Sequence, residues 1–420
     1  MGPDHAKMQA MSGERPMLIF VSDIHLTDAL HGQSVSKAEI FERFWVRIQN
    51  SRGHRPGELC FVGDLFDIVR SPSWLASKAR PYHEASDPIV AAQIEAIVDA
   101  TLERESAFFA AIRKRVEAEE LNVHYLLGNH DRLLRHHARA RRKIWRAMTG
   151  RDEDVTFGAE LSFPEHGVLA YHGHVGDVIN ESPDGGATIG DAIGSELILR
   201  FPHEVQAVLG ERRPELEDID DVRPIYAVPA WVRQMGIKHD ELLRPVAKTW
   251  GLLVEEFLDN TFVRDWLRGR HKLFHFDATV KLRLMLELST RKLMAKGQDR
   301  RLTKLYKLFQ HAFDGRMAQL GAEELSRKER RGLHYVVNGH SHFASMVPLG
   351  RIGHAPAVYF NTGTWRTLHQ IGHDMGGRPS FLPYDAMSYL VFYPDGDRLG
   401  RDYEWWSGAM VVRRDEPASE

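Results

Sequence analysis

The chain has 420 residues, 43% hydrophobic and 27% charged, with a formal net charge of −3 at neutral pH. This length exceeds what a single hydrophobic core usually organises, so an elaborated α/β domain or two domains are expected, and the ordinary composition excludes wholesale disorder. The one cysteine, Cys60, excludes an internal disulfide framework, and the near-neutral balance confines any nucleic-acid or membrane footprint to local patches.

Residues 1–16 carry charges throughout and contain no apolar h-region, so no secretory signal is expected there. No run approaches the roughly 18 apolar residues needed to span a bilayer. With the lone cysteine, this points to a cytoplasmic address. Met17–Ser22 reads as a buried strand, and Ser36 with Glu39 reads as a capping box opening a helix whose apolar face is Ile40, Phe41, Phe44 and Ile48. Leu59–Val62 is the next strand; Cys60 inside it reads as a small buried hydrophobe, with no activating histidine beside it. Asp87 and Pro88 open a long helix to about Glu120, Val123–Leu127 is a strand, and a basic helix runs from Arg132 to Met148. Val168–Tyr171 is a fourth strand. From Ile179 to Arg330 the readable segments are helical, with Leu302, Leu305, Tyr306, Phe309 and Phe313 as an amphipathic stripe. Strand-like runs resume at Leu333–Val337, Ala357–Phe360, Met387–Tyr393 and Tyr403–Val412. The expected organisation is an α/β body made of residues 17–177 and 331–412, a helical insert at 178–330, and flexible termini at 1–16 and 413–420.

Five short motifs each follow a predicted strand: Asp23-Ile24-His25, Gly63-Asp64, Gly128-Asn129-His130-Asp131, His172-Gly173-His174 and Gly339-His340-Ser341-His342. Ligand sites of α/β sheets collect at such strand ends. In extended backbone, side chains at i and i+2 point the same way, so Asp23 with His25 and His340 with His342 are each expected to act as a pair. Carboxylate, imidazole and amide oxygen without thiolate suit Mn, Fe, Zn, Ni or Co. Seven or eight such groups exceed one tetrahedral ion and suit two ions sharing a carboxylate, an arrangement that clamps the oxygens of a displacement at phosphorus.

The order DxH, GDxxD, GNHD, HG, GHxH, bracketing residues 17–365, resembles the calcineurin-like metallophosphoesterases. Each motif alone is weakly specific; five in order, each behind a strand, are strongly so. The resemblance implies an α/β fold, a four-layer αββα sandwich carrying the helical insert, and hydrolysis of phosphate esters or anhydrides as a phosphatase or phosphodiesterase. It implies two divalent metal ions, with manganese first among the candidates: Asp23, His25 and His342 on one, Asn129, His172 and His340 on the other, Asp64 on both. A hydroxide between the metals would attack phosphorus, with no covalent phospho-enzyme. The catalytic pair would be His130, protonating the leaving oxygen, and Asp131, which with Asp67 would orient neighbouring groups. Ser22–Leu26 (SDIHL) and Gly63–Asp67 (GDLFD) are also similar to UDP-2,3-diacylglucosamine pyrophosphohydrolases, which place a helical cap between the HG and GHxH motifs. They carry Arg where this chain has His130, and this insert is larger.

His174 reads either as a substrate or supporting contact or as a plain loop residue; His136 and His137 read as solvent-facing. Arg132–Arg146 has seven Lys or Arg and no acidic residue. It reads either as a solvated helix packing Leu133, Leu134, Ile144 and Trp145 inward or as an electrostatic collar for a nucleic acid or an anionic membrane surface. Arg291–Lys307 is a second such stretch. The aromatic run Trp250–Trp266 fits ordinary helix packing or an acyl-binding groove. The insert, tethered at both ends beside the motifs, is placed to roof a pocket. Three functional readings follow: a hydrolase of a phosphorylated small molecule or nucleotide; a nuclease or lipid-linked diphosphate pyrophosphohydrolase at a membrane surface; and a scaffold without catalysis.

Overall fold

The computed structural model describes residues 15–29, 36–52, 56–182, 185–223, 225–238, 241–270, 286, 315–373, 379–394 and 400–410. The Leu302–Phe313 stripe, the Arg291–Lys307 stretch and the termini 1–14 and 411–420 lie outside the described residues.

Short runs of Leu, Ile, Val and Phe form the central strands. In chain order these are β1 (Leu18–Val21), β2 (Gly57–Val62), β3 (Leu121–Leu126), β4 (Glu160–Phe163), β5 (Val168–Tyr171), β6 (Val222–Arg223), β7 (Tyr335–Asn338), β8 (Ser345–Ile352), β9 (Ala355–Asn361), β10 (Thr367–His373), β11 (Pro379–Phe392) and β12 (Tyr403–Met410). They build two sheets. The first runs β3-β2-β1-β11-β10-β6, with β12 also paired to β11; the second runs β4-β5-β7-β9-β8. Within them β1, β2 and β3 are mutually parallel, as are β5, β7 and β9.

Alternation of side chains across the strands separates the packing layers. Leu18, Phe20, Cys60 and Val62 face Val168, Ala170, Val337 and Phe360 of the second sheet, forming the core between the sheets. Ile19, Val21, Leu59 and Phe61 face the opposite way, against α1 (Lys37–Ile48), α2 (Pro88–Arg104), α3 (Ser106–Glu117) and α4 (Ala138–Thr149). Beyond the second sheet, Leu169, Val336 and Tyr359 pack against Met317, Ala318 and Leu325 of the helical residues 315–325. The protein is thus a mixed α/β structure of two face-to-face sheets with helices outside both. Cys60 is fully buried, and burial pushes its thiol up, away from the reactive thiolate.

The insert continues with α5 (Ile189–Ala192), a π-helical stretch Ile193–Ile198, α6 (Arg200–Leu209), α7 (Val228–Lys238), α8 (Leu243–Asp259) and α9 (Thr261–Arg270). It has its own apolar core, in which Phe201 meets Trp250 edge-on and Phe257 is buried, so the aromatic run is occupied by helix packing. Two features depart from a purely helical insert at 178–330. Strand β6 joins the first sheet beside β10, and residues 315–325 belong to the layer over the second sheet. The long helix expected from Pro88 is two helices, broken at Glu105, where the backbone leaves helical geometry (φ −93, ψ 21). Asp87 caps α2 through the Ile89 amide as read, whereas the Ser36 side chain makes no capping bond on α1. Among the described residues no helix is long and apolar enough to cross a membrane.

At the start of α1, Lys37 is buried and donates its Nζ to the Trp365 carbonyl. Burial, reinforced by the nearby Arg366 guanidinium, lowers its pKa from 10.5 to about 7. Between those values the unfolded chain holds more protons at this lysine than the folded one, so stability rises with pH across that window and the cost of burial is complete below it. Lys37→Met is therefore expected to raise the melting temperature at pH 6 and to lose that advantage toward pH 10. A calorimetric difference that is the same at both pH values would refute it.

Candidate metal centre

All five motifs fall directly beyond the carboxyl ends of parallel strands: Asp23 and His25 after β1, Asp64 after β2, Asn129 after β3, His172 after β5, and His340 and His342 after β7. The backbone kinks sharply there. Asp23 (φ 52), His25 (φ 53), Asp64 (φ 53), His340 (φ 72) and His342 (φ 64) are all left-handed, and Glu119 is the one other such non-glycine residue among the described residues. This conformation costs about 1–2 kcal/mol per residue, and it persists only where the surroundings over-determine it. Extended alternation is therefore not what aligns the pairs. Asp23 and His25 come together through consecutive left-handed bends, and His340 and His342 are turned toward different donors.

One group of donors is Asp23, His25 and His342. His25 Nε2 lies 3.0 Å from His342 Nε2, and Asp23 Oδ1 lies 3.3 Å from His342 Nε2 and 3.7 Å from His25 Nε2. The other oxygen of Asp23 is held by Ser22 Oγ at 2.5 Å and the His340 amide at 2.9 Å, so Oδ1 is left pointing at the imidazoles. It is buried without a hydrogen-bond partner. A second group joins His172, His340 and Asp64, with Asn129 among them. Asn129 Oδ1 is 3.1 Å from His172 Nε2 and 3.0 Å from His340 Nδ1. Asp64 stands between the groups, its Oδ2 3.1 Å from His172 Nε2 and 3.8 Å from His25 Nε2.

These separations suit a cation. Bonds of about 2.0–2.2 Å from nitrogen and oxygen donors put neighbouring ligands roughly 3–3.5 Å apart. The tautomers suit one as well. His172 Nδ1 is 2.8 Å from the Val62 carbonyl, and donating its proton there leaves the Nε2 lone pair facing Asp64 and Asn129. Burial lowers the pKa of His25 and of His342, favouring the neutral imidazole that ligates. Burial opposes the charge on Asp64, yet the surrounding histidines, His172 foremost, hold its carboxyl well below the usual range. His172 is buried too, but the Asp64 and Asp23 carboxylates raise its pKa to about 10, so a cation binding at Nε2 displaces a proton there. The buried groups can hold a metal ion.

The motif glycines make the approach close enough. A Cβ on Gly128 would lie 2.1 Å from Asp64 Oδ1, and one on Gly339 would lie 2.4 Å from Asp23 Oδ2. Gly128→Ala is expected to displace Asp64 and lower bound divalent metal at least tenfold, read by elemental analysis after desalting. Unchanged metal content in the folded variant would show that Asp64 does not need this approach.

His130 is half-buried, its Nδ1 2.8 Å from Asp67 Oδ1 and its ring edge-on to His25 at 4.7 Å. A ring nitrogen of His130 also lies within 4.8 Å of donors from His25 and Asp64. Asp67 binds His25 Nδ1 at 3.1 Å as well, so one carboxylate orients both rings. Asp131, expected with Asp67 to orient neighbouring groups, contacts the loop and not the donors. It is fully buried and accepts from the Gly128 and Leu65 amides and the Tyr125 hydroxyl, which makes it a lock on the loop rather than a group facing the donors.

Several residues here carry no motif. Arg70 and Arg366 both reach Asp67, and both also reach Asp220 of the insert, with Arg366 2.8 Å from Asp221. The end of β9 supplies Asn361, which donates to the Gly339 carbonyl, and the loop after it supplies Thr364, whose hydroxyl donates to the Asp23 carbonyl. At the junction of body and insert, Asp177 lies 3.0 Å from His340 Nε2. His174 lies tilted against His172, ring centroids 5.4 Å apart, with its buried Nδ1 unbonded. His136 is exposed as read, but His137 is half-buried, and burial lowers its pKa.

The basic stretch is a short 3-10 turn (Arg132–His136) followed by α4, and most of its charge is neutralised locally. Buried Arg132 pairs with Asp191 of the insert at 2.8 Å, and Arg139, Arg142 and Lys143 pair with Glu95, Asp152 and Asp99. Arg141 binds the carbonyls of Leu134, Arg135 and Val155. Leu133, Leu134 and Ile144 sit in the core.

No family model matches the chain, and no curated protein matches it in sequence.

Proposed function

We propose that the protein is a metal-dependent hydrolase of phosphate esters or anhydrides, with the four-layer sandwich of the calcineurin-like metallophosphoesterases. The observation that carries this reading is the set of five left-handed Asp and His residues, converging with Asn129 and His172 into two donor groups on either side of Asp64. Asp23, His25 and His342 would hold one divalent cation and Asn129, His172 and His340 a second, with Asp64 contributing to both. Manganese suits these hard oxygen and borderline nitrogen donors, as do iron, zinc, nickel and cobalt. When bound, the cations supply Lewis acidity toward a phosphoryl oxygen and lower the pKa of water, so that hydroxide is available near neutral pH.

The chain's own residues do the rest. Asp67 fixes the His25 and His130 rings through their Nδ1 atoms, which turns His130 Nε2 outward as a proton donor to the leaving oxygen. Hydroxide forms the new bond to phosphorus as the bond to that oxygen breaks, and the proton from His130 leaves with it. Asp131 keeps the Asn129-His130 loop in register with Asp64, whose Oδ1 accepts the His130 amide at 2.8 Å. The neutralisation of most of the Arg132–Arg146 charge favours a phosphorylated small molecule or nucleotide over nucleic acid or a membrane surface as substrate. Five strained donors argue against a scaffold without chemistry.

The test is a panel of phosphomonoesters, phosphodiesters and diphosphates screened with Mn²⁺-loaded protein, beside a chelated sample. Hydrolysis that appears with Mn²⁺ and disappears on chelation supports the reading. Activity that survives demonstrated removal of metal, or none on any phosphate compound, overturns it.

A further inference from the structure

The turn that opens the insert touches the metal centre at two points, and each contact decides which atom of a donor side chain faces inward. Asp177 Oδ2 lies 3.0 Å from His340 Nε2, while His340 Nδ1 is the atom beside Asn129. A carboxylate at Nε2 accepts a hydrogen bond from Nε2–H and leaves the lone pair on Nδ1, the tautomer a ligand needs. Asn180 Oδ1 accepts from Asn129 Nδ2 at 3.3 Å. An asparagine can present either end of its amide, and only the oxygen ligates; occupying Nδ2 turns Oδ1 toward His172 and His340. Asp177 and Asn180 are themselves joined, Asn180 Nδ2 donating to Asp177 Oδ2 at 2.7 Å, and the Ile179 amide donates to Asp177 Oδ1 at 3.0 Å. Gly190 of α5 lets Asn180 sit there, since a Cβ on it would fall 2.1 Å from Asn180 Oδ1.

We propose that Asp177 and Asn180 are positioning residues for one half of the centre, fixing the tautomer of His340 and the amide orientation of Asn129, so that the insert completes the cation site formed by Asn129, His172 and His340. This rests on the metal-dependent reading above. None of their atoms need touch substrate; they act through the two ligands. The insert is then more than a roof. Its first turn sets the affinity of one cation and leaves the Asp23–His25–His342 half to the body.

The experiment is calorimetric titration of the full-length protein with Mn²⁺, for wild type, Asp177→Ala, Asp177→Asn and Asn180→Ala, with the melting temperature of each metal-free sample. Loss of such a supporting contact is expected to weaken one binding event by about 10–100-fold and leave the other unchanged. Asp177→Asn, which keeps an oxygen able to accept from Nε2–H, is expected to fall between wild type and Asp177→Ala. Hydrolysis of bis-p-nitrophenyl phosphate is expected to need more Mn²⁺ in the variants and to regain its kcat at saturation. Two binding events that weaken together, with a lowered melting temperature, would mean a merely structural role and overturn the inference; so would no change in either. Wild-type protein that takes up no divalent cation overturns the function proposed above, and this inference with it.

Discussion

Replacing Asp64 with alanine is expected to reduce hydrolysis of bis-p-nitrophenyl phosphate to the level of chelated wild-type protein. Among the described residues Asp64 is the one carboxylate facing both donor groups, 3.1 Å from His172 Nε2 on one side and 3.8 Å from His25 Nε2 on the other. Its second oxygen holds the His130 amide at 2.8 Å, so the same side chain also places the loop that carries Asn129 and His130. Without it, two clusters of imidazoles are left with one fewer negative charge to offset the two divalent ions proposed. Charge stabilisation by metal ions supplies several kcal/mol to such reactions, and each 1.36 kcal/mol is a factor of ten, so a fall in kcat of at least about 10³-fold is anticipated. Elemental analysis of the same sample should show metal lost from the protein. A folded Asp64→Ala protein working within tenfold of wild type would remove the basis for a shared carboxylate.

His130→Ala is expected to keep its metal and slow turnover by about 10²–10⁴-fold, the usual contribution of general acid catalysis. The ring is held at Nδ1 by Asp67, itself fixed by Arg70 and Arg366, so little reorientation is available to it. The deficit should depend on the leaving group. p-Nitrophenolate departs without much help and an alkoxide does not, so the variant should lose more on an alkyl phosphodiester than on the nitrophenyl one. Equal losses on both substrates would argue against proton donation. A fall in metal content instead would make His130 a ligand, a role its nearness to His25 and Asp64 allows.

The donor set was readable because apolar strands and polar motifs alternate abruptly: β5 appears in the sequence with the bounds it has in the structure, and His172 follows at once. What periodicity could not register was the backbone at those positions. Left-handed Asp and His look like any others in a sequence, and extended geometry pairs His340 with His342, whereas the bends turn them toward different donors. Of the missed strands, β4 and β8 lie at the two edges of the second sheet and β10 and β6 at one end of the first, and β8 carries Pro348 and Gly350 at a break in its register. The supporting carboxylates Asp177, Asp220 and Asp221 were silent because each resembles a surface acid until folding brings it to a histidine or an arginine. Arg132 misled in the opposite sense. In a row of basic residues it reads as part of a solvated face, yet it is buried against Asp191.

Strand β1, which delivers Asp23 and His25, is flanked by β2 on one side and by the far end of β11 on the other, with Leu18 opposite Phe392. A ribosome must therefore release residue 392 before β1 has both its neighbours, long after the ligands from His25 to His342 have emerged. Until then Asp23 and His25 follow an open edge of the first sheet, free to bind whichever cation is most abundant or most competitive. Domains that close late in synthesis expose their unpaired surfaces for longer. Under the metal-dependent function proposed above, which metal the protein carries would depend partly on the ions available during those seconds, and protein refolded in a chosen metal is the cleaner material for comparing them.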